Sequence, residues 1–417
     1  MTMTRSHFST SLCAALLAAT CCSSFTTSSW ARDDRKPTVL APALQKFVDD
    51  NTISGAVLMV TSPDKVLALE TVGSANLESK APMKDDAMFW IASMTKPMTA
   101  MGLMMLVEEG KLSIDDPVEK HLPEFKGQML IEEKTPERVV LKKPQRPITV
   151  KDLLTHTSGL ISDLPGGGSA LDMLTLQGAV VGYAVSPLQF EPGSKWQYCN
   201  PGINTLGRLI EVKSGQPFAQ FMQERFFEPL GMKDTTFWPT EEQLKRIATS
   251  YKPGPEGKGL EATTVKYLSP NLKDRQRMPL AAGGLFSTAS DLARMYQMVL
   301  NGGKLGKKRY LKEDTLKLMT TNQTGDLKVS FSDGMHMGLG FHIVNTPMGV
   351  TEALSPGSFG HGGAYGTQAW IDPTKKLAIV LLIQRAGLPN SDKSDMRAAL
   401  QRAAVDAFGK EAAAAAQ

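Results

Sequence analysis

The chain has 417 residues, 42% hydrophobic and 21% charged, with 36 glycines and 25 prolines. Those proportions exclude a disordered, collagenous or polytopic membrane chain. Its 46 Lys and Arg against 42 Asp and Glu leave a formal net charge of +4, too balanced for a nucleic-acid surface, and no basic helix or tail stands out.

At the start of the chain, Arg5 is the only charge before Arg32, and Leu12 to Ala19 is an unbroken apolar run. Ser29-Trp30-Ala31 then precedes Arg32-Asp33-Asp34-Arg35. This is the pattern of an export signal over residues 1–31, cut after Ala31, and it predicts a periplasmic or secreted protein. The apolar run is too short to span a bilayer. Of Cys13, Cys21, Cys22 and Cys199, only Cys199 would survive cleavage, so no disulfide forms within one mature chain. Lipidation at Cys21 or Cys22 is a rival reading, but the residues before them fit a lipoprotein signal poorly.

A helix is expected near Val39 to Asp50. Two β-type runs, Ala56 to Val60 and Val66 to Glu70, flank the turn signal Ser62-Pro63-Asp64-Lys65 and predict a hairpin. A helix from Met94 ends near Gly110, which suits a C-cap. From Ser113 to Gly302 helical patterning dominates, broken by loops such as Leu164-Pro165-Gly166-Gly167-Gly168. Lys134 to Arg146 reads as a charged, solvated surface loop, and Ser287 to Asp291 as a helix start. Gly338 to Val344 alternates, Gln368 to Ile371 is strand-like, and Leu377 to Ile383 has the continuous apolar character of a buried strand. Asp392 to Phe408 is a closing amphipathic helix, and residues 411–417 read as a disordered, low-complexity tail.

The expected fold is α/β of the α+β type. An antiparallel sheet is built from both chain ends and flanked by terminal helices, with an all-helical lobe inserted into it. One domain spans residues 32–410, with an α/β lobe over 32–92 and 305–410 and the helical lobe over 93–304. No internal repeat is present.

Three elements carry chemistry. In Phe89-Trp90-Ile91-Ala92-Ser93-Met94-Thr95-Lys96, Ser93 stands where an apolar stretch meets a helix, and Lys96 shares its face three residues on. A helix N-terminus favours developing negative charge, and a neighbouring amine can take the hydroxyl proton. The spacing alone is weak: Ser62 and Lys65 match it in a proline-containing turn, and Ser93 could be a plain N-cap. In Tyr198-Cys199-Asn200, alternation on an extended loop points Tyr198 and Asn200 to one side and Cys199 away, as packing. A phenol serves as a general base when cations such as Lys96 lower its pKa; the bland alternative is a buried tyrosine with a bonded hydroxyl. In Phe359-Gly360-His361-Gly362-Gly363-Ala364, glycines let a strand approach a substrate closely and offer N–H groups to an oxyanion. A glycine-rich hairpin with an incidental histidine is the competing view.

Taken together, in this order and spacing, the three elements resemble the serine β-lactamase and penicillin-binding-protein superfamily. The likeness is to its class C-like branch of β-lactamases, D-alanyl-D-alanine carboxypeptidases, D-aminopeptidases and family VIII carboxylesterases. Tyr198-Cys199-Asn200 stands at the place of that branch's Y-x-N and His361-Gly362-Gly363 at that of K-T-G. The stretches Glu108–Val118, Ile148–Leu160 and Pro279–Thr288 also look like the family, and the likeness runs from about Leu44 to Gln384. It implies Ser93 as the acylated nucleophile, with Lys96 and Tyr198 sharing the proton work. Asn200 would orient Lys96 and the substrate, and the N–H groups of Ser93 and Ala364 would form the oxyanion hole. His361, Gly362 and Gly363 would line the substrate.

The departure is at His361 and Gly362, where the lysine and hydroxyl that help hold a β-lactam carboxylate are missing. A protonated histidine would replace that cation only in part and a neutral one less, and a lost charge-assisted bond is worth about 1.5–3 kcal/mol. The sequence therefore predicts an exported serine hydrolase that needs no cofactor or metal and acts on small esters or amides, with weak β-lactam hydrolysis. A β-lactamase or D,D-carboxypeptidase is the alternative within enzymes, and a non-catalytic module binding cell-wall peptides is the alternative outside them. A monomer or small homo-oligomer with no transmembrane segment is expected. His121, His156, His336 and His342 show no metal spacing, no G-x-S-x-G occurs, and the methionines from Met94 to Met105 read as core behind Ser93.

Overall fold

The computed structural model describes residues 38–162, 170–329, 333–388 and 394–414. The expected export signal, the Gly166–Gly168 run and residues 415–417 lie outside them.

An antiparallel sheet of eight strands is the frame. Its strands are β1 (Gly55–Thr61), β2 (Val66–Asn76), β3 (Ala81–Pro82), β4 (Met335–Met337), β5 (His342–Val344), β6 (Phe359–Gly362), β7 (Gln368–Asp372) and β8 (Leu377–Leu382). They lie in the order β4-β5-β6-β7-β8-β1-β2-β3, so the N- and C-terminal strand sets meet where β1 pairs with β8, Val57 opposite Leu382. The second Ser-x-x-Lys is the β1–β2 turn: Ser62 Oγ donates to Asp64 Oδ1 at 2.6 Å, and Ser62 N–H to Lys65 O at 2.9 Å.

Every residue of β1 and β8 is buried, because both faces of the sheet are covered. Ala56, Leu58 and Val60 point to one side, where they meet Leu44 and Phe47 of α1 (Ala41–Asp49) and Met396 and Leu400 of α5 (Asp395–Ala414). Val57 and Met59 point to the other, onto the core that holds α2 (Thr95–Glu108). This is why the strands read as continuous apolar runs rather than alternating ones. Glu70 on β2 accepts the N–H groups of Val39, Leu40 and Ala41 at 3.0, 3.0 and 2.8 Å, satisfying the orphan donors at the start of α1. Met94, Met98, Met101, Met104 and Met105 are all buried.

Between the two strand sets the regular structure is predominantly helical, with α3 (Asn200–Ser214) and α4 (Ala289–Leu300) among its longer helices. It is not wholly so. Leu130–Lys134 pairs with Val139–Lys142, and Ser250–Pro253 with Leu260–Thr263. The first pair replaces the surface loop expected over 134–146. Val139 and Leu141 stay exposed on it, and the hairpin brings Arg138 to Glu133 at 2.9 Å and Lys142 to Glu132 at 3.7 Å. The closing helix also overruns expectation, since Ala412–Ala414 continue α5; alanine has the highest helix propensity and propagates a helix already nucleated.

Asp291 lies in the first turn of α4, 5% exposed. Its Oδ2 accepts Asp234 N–H at 2.7 Å and Thr235 Oγ1–H at 2.8 Å, yet burial outweighs these bonds and pushes the carboxyl up to about 6. A carboxyl raised above its unfolded value of 3.8 binds its proton more tightly when folded, so it stabilises the fold as pH falls through 6. Relative to Asp291→Asn, the wild type should therefore gain up to about 3 kcal/mol of stability between pH 7 and pH 4. Urea unfolding of both proteins across that range checks this, and parallel profiles would refute it.

Candidate active site

Ser93 sits in a single tight turn, Ala92–Met94, that leads into α2. Ala92 holds φ at 47°, a left-handed conformation that is uncommon for a residue with a Cβ and characteristic of strained functional turns. The spacing of three places Lys96 Nζ 2.9 Å from Ser93 Oγ. Tyr198 Oη donates to the same oxygen at 2.7 Å from a loop 105 residues away. Lys96 Nζ also donates to the carbonyl of Ala282 at 2.6 Å and lies 4.6 Å from the centre of the Tyr198 ring.

Lys96 is 0% exposed. Burial holds its amine well below the ordinary lysine range, with the Cys199 sulfur acting weakly the other way. An amine so depressed gives up its proton more readily, and its reach to Ser93 is that of a nucleophile–base pair.

The start of α3 positions Tyr198. Cys199 is the N-cap of α3, its sulfur accepting Gly202 N–H at 3.4 Å, so it faces away from Ser93 as packing. The helix begins at Asn200, so Tyr198 and Asn200 do not share an extended loop as expected; Pro201, pre-set for a first helical turn, starts the helix early. Asn200 is half-buried in that turn, and the bonds that hold Lys96 run to Ser93 and Ala282. His156 backs the tyrosine: its ring lies 4.7 Å from that of Tyr198, and its Nδ1 accepts Cys199 N–H at 3.1 Å.

On β6, the His361 ring stacks on that of His342 at 4.7 Å, 6.3 Å from the Tyr198 ring. Its Nδ1–H donates to Gly362 O at 2.7 Å, which leaves a lone pair on Nε2. Burial, then His342 and Lys96, keep the imidazole well below its usual pKa. Of the two states open to it, the structure favours the neutral one. Gly363 has no room for a side chain, since a Cβ there would fall 2.1 Å from Thr367 Oγ1 and 2.6 Å from Ile91 O. That close approach lays the end of β6 against residues 91–92, beside Ser93, with Ala364 exposed just beyond it.

Three contributors carry no signal of their role in the sequence. The Ala282 carbonyl is a backbone group that no side-chain pattern marks, although its stretch Pro279–Thr288 stands out. Asn204, four residues past Asn200 on α3, accepts Ala282 N–H at 3.0 Å. His342 invites comparison only with His336, as a metal ligand, and not with His361. Among the described residues no cluster of His, Cys, Asp or Glu is arranged to hold a metal ion, and no helix is long and apolar enough to cross a membrane.

A model of the Beta-lactamase family matches residues 40–404. Esterase EstB of Burkholderia gladioli is 28% identical over 81% of this chain and 87% of its own. A protein of Escherichia coli (strain K12) that carries the provisional name D-alanyl-D-alanine carboxypeptidase is 28% identical over 77% of this chain and 74% of its own. Among solved structures, the hydrolase EstCE1 superposes with a TM-score of 0.73 at 24% identity, over 88% of this chain and 97% of that one, and so shares the fold.

Proposed function

We propose, for a chain that belongs to the Beta-lactamase family of serine hydrolases, that it forms an acyl-enzyme at Ser93 and hydrolyses small, uncharged esters or amides. Neutral Lys96 takes the Ser93 proton as Oγ attacks the carbonyl carbon, and the carbonyl oxygen's new charge is received by the N–H groups of Ser93 and Ala364. The C–O or C–N bond then breaks, and the proton passes through Tyr198 to the leaving group. Water then attacks the acyl carbon and gives a proton to Lys96; the Ser93 Oγ–C bond breaks, Oγ takes that proton back, and the acid leaves. General acid–base help of this kind is worth about 10²–10⁴ in rate, and each oxyanion donor about 10²–10³.

The observation that carries the substrate class is His361. A buried imidazole whose Nδ1–H is spent on Gly362 O and whose pKa is held low supplies no positive charge where a carboxylate-binding member has a cation. EstB, named an esterase, agrees with this reading. Export through residues 1–31 to the periplasm or medium completes the proposal. Initial rates on p-nitrophenyl acetate should exceed those on nitrocefin, a carboxylate, by at least about tenfold in kcat/KM, the factor of one missing charge-assisted bond. A strong nitrocefin preference would replace the esterase reading with the β-lactamase or D,D-peptidase one.

A further inference from the structure

We infer that Asn204 is a positioning residue for Lys96, holding residue 282 by its N–H so that the carbonyl on the other side of the same Cα fixes the amine against Ser93; the inference rests on the serine-hydrolase reading above. Three successive carbonyls of the 281–283 segment accept from side chains of the segment that carries Ser93. Thr99 Oγ1 donates to Ala281 O at 2.8 Å, Lys96 Nζ to Ala282 O at 2.6 Å, and Trp90 Nε1 to Gly283 O at 2.7 Å. Residue 282 is also held on its N–H side, which donates to Asn204 Oδ1 at 3.0 Å and so pins the peptide plane adjoining the one that carries the Ala282 carbonyl. The Asn204 amide is oriented in turn by its Nδ2–H, which donates to Tyr183 Oη at 3.2 Å. Asn204, Ala282 and Tyr183 are 2, 2 and 5% exposed, so water does not compete for these bonds.

The chemistry needs this grip because a neutral amine has two N–H donors and one lone pair. Committing one N–H to Ala282 O fixes rotation about Cε–Nζ and aims the lone pair at Ser93. If the Ala282 peptide turns, the amine keeps its burial but loses its direction. An amide also suits the place better than a carboxylate, whose charge would favour the ammonium form. Ser93 and Tyr198 contact Lys96, and the Cys199 sulfur and the imidazoles of His156 and His361 lie near enough to act on its charge without touching it. Both imidazoles are held neutral by burial, so a charge introduced at position 204 stands out in the pH profile.

The test compares wild type, Asn204→Leu and Asn204→Asp by kcat and KM on p-nitrophenyl acetate, the pH profile of kcat/KM, thermal melting, and the rate of fluorophosphonate labelling. Asn204→Leu should lower kcat and labelling by about 10–100-fold with KM within twofold, the signature of an interaction made at the reacting groups. Asn204→Asp keeps the acceptor for Ala282 N–H. It should recover to within a few-fold of wild type at high pH while its acid limb moves up by about one pH unit. A folded Asn204→Leu with wild-type kcat, or an Asn204→Asp profile with an unmoved acid limb, would overturn the inference. Should Asn204→Leu fail to fold, the Asn204→Asp limb decides alone. A wild type that takes up no fluorophosphonate defeats the acyl-enzyme reading itself, and this inference with it.

Discussion

Ser93→Ala should lower kcat/KM by at least about 10⁴-fold, the scale on which losing a catalytic nucleophile registers, while leaving the protein folded. The hydroxyl is half-buried and bonded to the two groups it would react through, Lys96 at 2.9 Å and Tyr198 at 2.7 Å. Its removal takes one partner from each of two groups, about 1 kcal/mol apiece, and for a chain of this size that moves Tm by no more than about 3 °C. Intact mass after fluorophosphonate treatment is the direct check: one adduct on wild type, none on the variant. A drop in Tm of many degrees would mark Ser93 as a structural N-cap instead. An adduct that persists on the variant would place the nucleophile elsewhere.

Lys96→Met should cost at least about 10³-fold in kcat, since nucleophile and base act as a unit, and it should raise stability at neutral pH. The side chain is fully enclosed in the core behind Ser93, and burial is the main cause of its depressed pKa. With the folded pKa held well below the unfolded value of 10.5, the folded amine binds its proton less tightly than the unfolded one, so below 10.5 the wild type carries a penalty that Met, of similar shape and no charge, does not. The penalty fades as pH rises toward 10.5, where the unfolded lysine is neutral too. The Tm advantage of Lys96→Met should therefore shrink steadily from pH 7 to pH 10. An advantage that does not change with pH would mean that the folded amine is protonated, and Lys96 could not then be the base.

Much of the sheet is legible because both chain ends carry runs, Ala56 to Val60 and Leu377 to Ile383, too apolar for any place but a doubly covered strand. Their meeting as β1 and β8 completes the mixed α/β frame expected. The segments that depart from expectation share a cause. Residues 134–146 and 412–414 present only their composition, and composition does not register what a partner strand or an already formed helix does to charged or alanine-rich chain. The Tyr198 motif departs locally, because Pro201 opens a helix at once, yet its hydroxyl still arrives at Ser93.

The sequence by itself determined the pairing of Ser93 with Lys96, since three residues on a helix put two side chains on one face whatever surrounds them. It also determined that position 361 carries no permanent charge. What only the tertiary structure decided is the state of those groups. Enclosure lowers the pKa of Lys96, and the Gly362 carbonyl, within a stack of buried rings, accepts the Nδ1–H of His361. The Ala282 carbonyl, on a residue whose N–H Asn204 accepts, receives an N–H of the amine. Solvation and the orientation of backbone dipoles belong to no single residue, and they exist only once segments as distant as Lys96 and Ala282, 186 residues apart, are packed together.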